Sequence, residues 1–566
     1  MERVSPGTGR ELRCRGWRQE GILRMLENTL HNAERPEDLV IYGGIGKAAR
    51  DHESLRGIIE SLKVLGDNET LVVQSGRAVA IMPSSVAAPR VLIANANVVP
   101  RAATREEFFD LSDRGLTMHG QYTAGSWAYI GGQGIVQGTF ETFAAAAERA
   151  FGGDLTGKIV LTAGLGGMGQ PQGRAVRMNG GVALIAELNR QLIAQRIEAG
   201  SVDEVFDTLD AAWERAEALA AQGEARVLAV VQNAADVAEQ LADQDRVPAI
   251  TTDQTSAHDL LHGYIPSCLS FDEATQLRAE DPDEYLRRSE ATLLRHVTAL
   301  VRLKEAGSVV FEYGNDIRQA ARRLGHDRAD EIPGFVPEYI RPSFGVGRGP
   351  FRWVCLSGDI ADRDRLDRAA RELFPDDTRL NTWLDRAASE TPVEGLPARI
   401  CWIGHGQRAA MALEINRLVA NGELSGPVAI TRDHLDSGSC AYPTRETEKM
   451  PDGSDVIADW PYLNAMLNVA GGADLVAIHQ NAGIIGGSVS AGMTMVLDGT
   501  EVSAARARIC FENDPAIGVI RHASAGVPEA VAYLPQSGIR AVGAGEAAAR
   551  AAGASTADST TAGVGA

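Results

Sequence analysis

The chain has no uninterrupted apolar run of the roughly 18 residues that a membrane-spanning helix needs. It has no surplus of basic charge either: 75 acidic residues stand against 55 basic ones, for a net charge of −20. A protein that grips nucleic acid must neutralise phosphates, and one drawn to anionic lipid needs a basic face. Both are therefore excluded as main partners. Cysteine is scarce, and the six (Cys14, Cys268, Cys355, Cys401, Cys440 and Cys510) are scattered with no Cys-x-x-Cys pair. That excludes a zinc ribbon, a thioredoxin-type site and a disulfide scaffold. The first twenty residues lack the apolar core of a secretory signal, so the expected compartment is a reducing cytoplasm. There is no Gly-x-Ser-x-Gly elbow and no lysine-bearing phosphate loop, which leaves hydrolases of that type and nucleotide triphosphatases without support.

What is present is length and glycine. The chain has 566 residues, 60 of them glycine, or about 11% against about 7% in average usage. That length predicts several domains. Short β-rich runs at 39–42, 70–74 and 90–95 alternate with polar helical segments and suggest an α/β region over 1–135. A βαβ alternation follows: strands at 158–162, 181–187, 225–232 and 247–253, a helix over 202–224, a charged helical region over 281–306 and a strand from Val309. This predicts a parallel, doubly wound sheet over 136–348, with 334–350 as a Gly/Pro-rich link. A further α/β region is expected over 349–540, with a strand around Ile400–Ile403 and a helix over 407–421. The residues 541–566 are rich in Ala, Gly, Ser and Thr and read as a disordered tail. The fold class is thus α/β, with a doubly wound parallel-sheet domain inserted between, or packed against, further α/β regions.

Gly164-Leu-Gly166-Gly167-Met-Gly169 lies between a strand and a helix start. Glycines there allow a tight turn and close approach of backbone to phosphate, and the helix N-terminus offers free N–H groups. Glu187 ends the next strand, 23 residues after Gly164, near the offset expected for an acid on an adenosine ribose. An acid there disfavours a 2′-phosphate, so the order strand, loop, helix, strand, acid predicts NAD rather than NADP. Read alone, this pattern would suggest an NAD-dependent dehydrogenase performing net hydride transfer. A second glycine stretch from Asn481 to Gly487 also follows a strand, but the next acid, Asp498, comes too soon for an intervening helix. It reads equally as a structural turn.

Two polar clusters follow strands. Thr252 to Asp259 reads either as a ligand-facing loop or as a helix start capped by Thr255 or Ser256. The run from Thr431 to Glu448 carries acids, a histidine, a cysteine and arginines. His434-x-Asp436 lacks a third suitably spaced metal ligand, so acid/base and anion-binding roles are preferred over a metal. Cys401 sits in an apolar strand and reads first as a buried core cysteine, and His479 as a satisfied core histidine.

Taken together, these segments resemble the urocanase family over about 36–529. The strings that carry the resemblance are Val40 to Arg50, Gly120 to Trp127, Gly131 to Thr142, Thr162 to Gly169, Asp253 to Asp259, Phe335 to Pro342, Gly349 to Trp353 and Arg432 to Glu448. The resemblance implies tightly bound NAD+ used as an electrophile, not as a hydride carrier, for adding water to urocanate. The substrate carries an imidazole ring and an acrylate carboxylate, and the product is an imidazolone propionate. It implies cofactor contacts at Tyr42, Gly43, Gln121, Gly167, Met168, Gly169, Glu187, Asn233, Ala234, Gln254, Thr255, Ser256, Ala257, His258, Tyr264, Ile265, Tyr313 and Gly483. It implies catalytic roles for Tyr42, Cys401, Asp436 and Arg445, no metal, and a homodimer. Arg445 is assigned to the carboxylate because a guanidinium fork matches it. Asp436 is assigned to the imidazole N–H, Tyr42 to water, and Cys401 to packing near the cofactor.

Several positions depart from the family pattern: Tyr122 where Met is usual, Arg101-Ala-Ala103, Ser343-Phe-Gly345, Gln480-Asn-Ala482, Ser524 and Asp51-His52. They read equally as neutral drift and as a pocket reshaped for a ring-substituted urocanate, such as a thio-, S-methylthio- or N-methyl-urocanate.

Overall fold

A computed structural model describes residues 4–480 and 487–542. Gly483 and all but the first two residues of the expected tail therefore lie outside the described residues. The chain divides into two units, Met1–Gln133 with Arg341–Ala566, and Gly134–Ile340. Among the described residues no helix is long and apolar enough to cross a membrane.

The second unit is built on a parallel sheet. Its strands run in the order Val309–Val310, Ile250–Thr251, Ile159–Ala163, Val182–Ala186, Arg226–Val230 and Glu204–Phe206. Every residue of Ile159–Ala163 and Val182–Ala186 is buried, as expected of parallel strands covered on both faces. Helices Gln170–Met178, Leu209–Gln222, Ala234–Asp243 and Pro282–Glu305 belong to this unit and supply much of its apolar core. After Ile159–Ala163 the chain works outward on one side, then returns to add Ile250–Thr251 on the other. The strand order thus reverses at Ile159–Ala163, the kind of switch point at which open α/β sheets bind ligands.

One expectation for this unit needs correction. The residues 202–224 are not one helix: Glu204–Phe206 is the edge strand, and the helix begins only at Leu209, where Thr208 accepts the Ala211 N–H. The helical region expected over 281–306 is the helix Pro282–Glu305, and a shorter helix, Phe271–Glu280, precedes it. Asp281 ends the shorter helix and caps the longer one, since Pro282 suits a first turn and cannot continue a helix.

In the first unit, the N-terminal and C-terminal regions share one sheet. Its order is Ala398–Ile403, Gly349–Cys355, Val428–Arg432, Val489–Leu497, Leu475–Gln480, Val91–Asn95, Glu69–Gln74 and Arg77–Pro83. The first five pair antiparallel, and Val91–Asn95 then pairs parallel with both Leu475–Gln480 and Glu69–Gln74. The stretch 334–350 is not a bare link. It forms a π-helical turn at Val336–Ile340, the helix Arg341–Gly345 and the start of a strand. Residues from Arg341 onward belong to the first unit. The buried Arg341 guanidinium donates to the carbonyl of Lys449 (2.8 Å) and to that of Glu448.

Candidate active site

In the second unit, the glycine loop joins the strand Ile159–Ala163 to the helix Gln170–Met178. Gly164 adopts φ +87°, and a Cβ there would fall 2.8 Å from the Gln254 carbonyl oxygen. At Gly169 a Cβ would overlap the Gly164 carbonyl oxygen, whereas at Gly166 it would meet open space. The loop is thus closed on itself at both ends, and Gly166, Gly167 and Met168 are exposed at its crest. The helix that follows has no side-chain cap, but its first turn is satisfied by the loop itself: the Gln170 and Gln172 N–H groups donate to the carbonyls of Gly166 and Gly169 (3.0 Å each), and Pro171 has no N–H. Glu187 accepts the N–H of Leu165 (3.0 Å) and of Asn189 (2.9 Å), which fixes the loop against the next strand.

The 252–258 loop lies beside it, joined through the Gln254 N–H to the Ala163 carbonyl (3.1 Å) and through the Gln172 amide to Gln254 Oε1 (3.2 Å). It does not start a helix. Buried Asp253 accepts the backbone N–H of Thr255 (3.2 Å), its hydroxyl (2.6 Å) and the Asn315 amide (2.6 Å), which holds the segment as a turn. Ala257 is buried and His258 exposed. Asn233 caps the helix Ala234–Asp243 and donates to the Ile265 carbonyl (2.9 Å). The Tyr264 hydroxyl pairs with His296 Nδ1 (3.1 Å). Tyr313 stacks on Phe335 and donates to Thr139 (3.1 Å). Buried Thr252 Oγ1 has no hydrogen-bond partner. A bare glycine crest, a carboxylate at the next strand end and a buried hydroxyl unpartnered among the described residues together fit a dinucleotide.

In the first unit, a second site gathers around the loop after Val428–Arg432. Arg352, on Gly349–Cys355, is only 4% exposed. Its Nη2 pairs with Asp433, while Nε and Nη1 have no hydrogen-bond partner among the described residues. A buried guanidinium with two unused donors is a receptor for a planar anion. The Tyr42 hydroxyl donates to the Gln121 carbonyl (3.1 Å) and shares a hydrogen bond with Thr123 Oγ1 (3.2 Å). Burial pushes its phenol up, and the Asp433 charge adds to this, so it stays neutral at ordinary pH. Gln121 Oε1 is buried without a partner, and a Cβ at Gly43 would crowd it. Arg445 Nε lies 3.0 Å from Glu446 Oε1.

Residues 4–128 match the urocanase N-terminal domain, 131–339 the urocanase Rossmann-like domain and 342–536 the urocanase C-terminal domain. Proteins named "Probable urocanate hydratase" from two strains of Halobacterium salinarum are 50% identical to this chain, covering 94% of each sequence. The chain belongs to the urocanase family.

Beside this urocanase site runs a buried charge network that the sequence did not reveal. Arg408 is engaged with both oxygens of Asp436 (2.6 and 3.0 Å) and lies 3.3 Å from Asp514. Asp514 also takes Arg432, Asn464 and Asn468. Burial alone would raise the Asp514 carboxyl, but Arg432 and Arg408 outweigh it and hold it below the usual range. Asp436 is 2% exposed. Its oxygens are turned onto Arg408, whereas Asp433, with its side chain 22% exposed, faces Tyr42 and Glu446. Cys401 is fully buried in Ala398–Ile403, opposite Phe351 and within reach of Arg408, as a core residue under the network.

His434 is buried, with its ring nitrogens on Ser490 (3.1 Å) and Ser126 (2.9 Å), so neither is left for a metal. His479 lies tilted against it, ring centroids 4.5 Å apart, and departs from the satisfied core histidine expected, because neither of its ring nitrogens has a partner among the described residues. Of the positions that depart from the family pattern, Asp51 is a helix cap, Gln480 accepts the Val98 N–H (2.7 Å) and Gly345 packs closely on Ala530. Tyr122 differs. It is 9% exposed at φ +37°, lies 6.4 Å from the His434 ring, and feels the charges of Glu446 and Arg445.

Proposed function

We propose that the protein adds water to the imidazole ring of urocanate, with tightly bound NAD+ serving as the electrophile. The observation that carries this reading is Arg352, a buried guanidinium with two donors unpartnered among the described residues, paired on its third side with Asp433, whose charge also acts on Tyr42 and Glu446. Arg352 and Arg445 hold the acrylate carboxylate. Asp433 takes the imidazole N–H, and Asp436 acts through Arg408 by fixing the loop that carries Asp433. Tyr42, a neutral phenol fixed by Gln121 and Thr123, positions water.

The family resemblance is the support for cofactor contacts at Gly167 to Gly169, Glu187, Asn233, Ala234, Gln254 to His258, Tyr264, Ile265 and Tyr313, and at Tyr42, Gly43 and Gln121. When bound, NAD+ would supply an electron-withdrawing centre for the substrate ring, with no net change in its own oxidation state. Gln121 Oε1, buried and unpartnered, suits a carboxamide N–H donor. On this reading the enzyme is a cytoplasmic homodimer, for which the family resemblance is the support.

A second reading has the ring substituted. Tyr122 favours it, because a bulky buried phenol in a left-handed backbone conformation, which costs about 1–2 kcal/mol, is retained beside Arg445 and Glu446. The test is to incubate the purified protein, without added NAD, with urocanate, thiourocanate, S-methylthiourocanate and N-methylurocanates, following each ultraviolet band. Fast loss of plain urocanate supports the first reading. Turnover of a substituted ring alone supports the second. Loss of none contradicts both.

A further inference from the structure

We propose that Glu446 is the acid that delivers a proton to the side chain of the substrate, a role that rests on the hydratase reading above. Hydration adds a hydroxyl to the ring and a hydrogen to the side chain, so some group near the carboxylate-binding arginines must hold a transferable proton. Glu446 is 4% exposed. Its Oε1 lies 3.0 Å from Arg445 Nε, and its Oε2 has no hydrogen-bond partner among the described residues. An ionised carboxylate with a bare buried oxygen is poorly solvated, whereas the neutral acid has an O–H to give. Burial pushes the carboxyl up. Arg445 opposes the shift, and the nearby Asp433 charge adds to it.

The neighbouring candidates are otherwise occupied. Asp436 is held on both oxygens by Arg408. Both nitrogens of His434 are on serines. The Tyr42 hydroxyl is bonded to Gln121 and Thr123, and burial pushes the Tyr122 phenol well above its ordinary value. Burial likewise raises the Cys440 thiol.

In the step proposed, the Glu446 O–H bond breaks and a C–H bond forms on the side-chain carbon, using the electron pair of the side-chain double bond. The carboxylate left behind is paired with Arg445. Water then bonds through oxygen to the ring carbon, and the proton it loses restores the acid. The sum is substrate plus one water, with no net redox change.

The test compares full-length wild type, Glu446→Gln and Glu446→Asp, each assayed for urocanate turnover, bound NAD and far-ultraviolet circular dichroism. General acids contribute about 10²- to 10⁴-fold. The expected result is a loss of about 100-fold or more in kcat for Glu446→Gln, with KM within about threefold and NAD content unchanged. In wild type, kcat falls as pH rises through a single deprotonation, and this limb is absent from the residual activity of Glu446→Gln. The groups facing Glu446 that could distort the limb are Arg445, Asp433, Tyr122, Tyr442 and Cys440. If Glu446→Gln does not fold, Glu446→Asp decides, with a lowered kcat and a displaced limb expected. A kcat within threefold of wild type for Glu446→Gln, or an unmoved limb in a folded Glu446→Asp, overturns the assignment. A wild type that turns over no urocanate overturns the hydratase reading, and this role with it.

Discussion

Arg352 and Asp436 separate two kinds of buried charge. Arg352 keeps two donors unpartnered among the described residues, and on the proposed reading a ligand completes its charge. Replacing it with lysine keeps the charge but loses the fork. Arg352→Lys is expected to raise KM for urocanate at least about tenfold. It also erases most of the preference for urocanate over 4-vinylimidazole, which lacks the carboxylate. An unchanged KM would show that the carboxylate binds elsewhere. Asp436, by contrast, completes Arg408 inside the fold. Asp436→Asn leaves a buried cation underpaired and is expected to destabilise the protein by about 3–5 kcal/mol, read as a lower urea midpoint. A variant as stable as wild type but inactive would instead return Asp436 to direct substrate contact. From sequence, Asp433 and Asp436 were merely acids in one charged loop. What distinguishes them is their partners far along the chain, Arg352 and Arg408, whose pairing exists only once the strands Gly349–Cys355 and Val428–Arg432 and the helix Gln407–Ala420 are assembled.

At the scale of elements, the glycine loop was legible because its order of strand, glycines, helix and acid is local. The structure adds why Gly169 must be glycine: a Cβ there has no room beside the Gly164 carbonyl. Gly169→Ala is expected to keep its helical circular dichroism while losing most of the NAD that co-purifies with wild type. Full NAD content in this variant would count against the loop as the phosphate site. The 202–224 segment misled because a three-residue edge strand carries too little periodicity to interrupt a helical pattern.

The strand Leu475–Gln480 carries a different consequence. His479, at its end, is pushed down to about 3 by burial, and His119 to about 4. Unfolded histidines bind protons below about 6.5. The unfolded state therefore holds more protons as pH falls from 6.5 toward 4, and stability drops over that range by about 1.4 kcal/mol per pH unit for each such histidine. Urea midpoints at pH 7 and pH 5 should show the fall, and His479→Gln should lessen it. Equal midpoints at the two pH values would contradict the burial of these rings as neutral groups.

Across the whole molecule, the α/β class and the parallel Rossmann-like sheet could be read from apolar runs and glycine turns. The sharing of one sheet by residues near 91 and near 475 could not, because pairing across several hundred residues leaves no local signature. For the same reason the reading of isolated motifs leaned toward a dehydrogenase, while the assembled cluster of Arg352, Asp433, Tyr42 and Glu446 points to binding and protonating a carboxylate substrate. The two chemistries differ in net redox change. The deciding measurement records the urocanate band and the NADH band together in one reaction of purified protein with no cofactor added. The account predicts that the urocanate band disappears over many turnovers while no NADH absorbance grows. NADH rising in step with substrate loss, or a urocanate band that never falls, would contradict it.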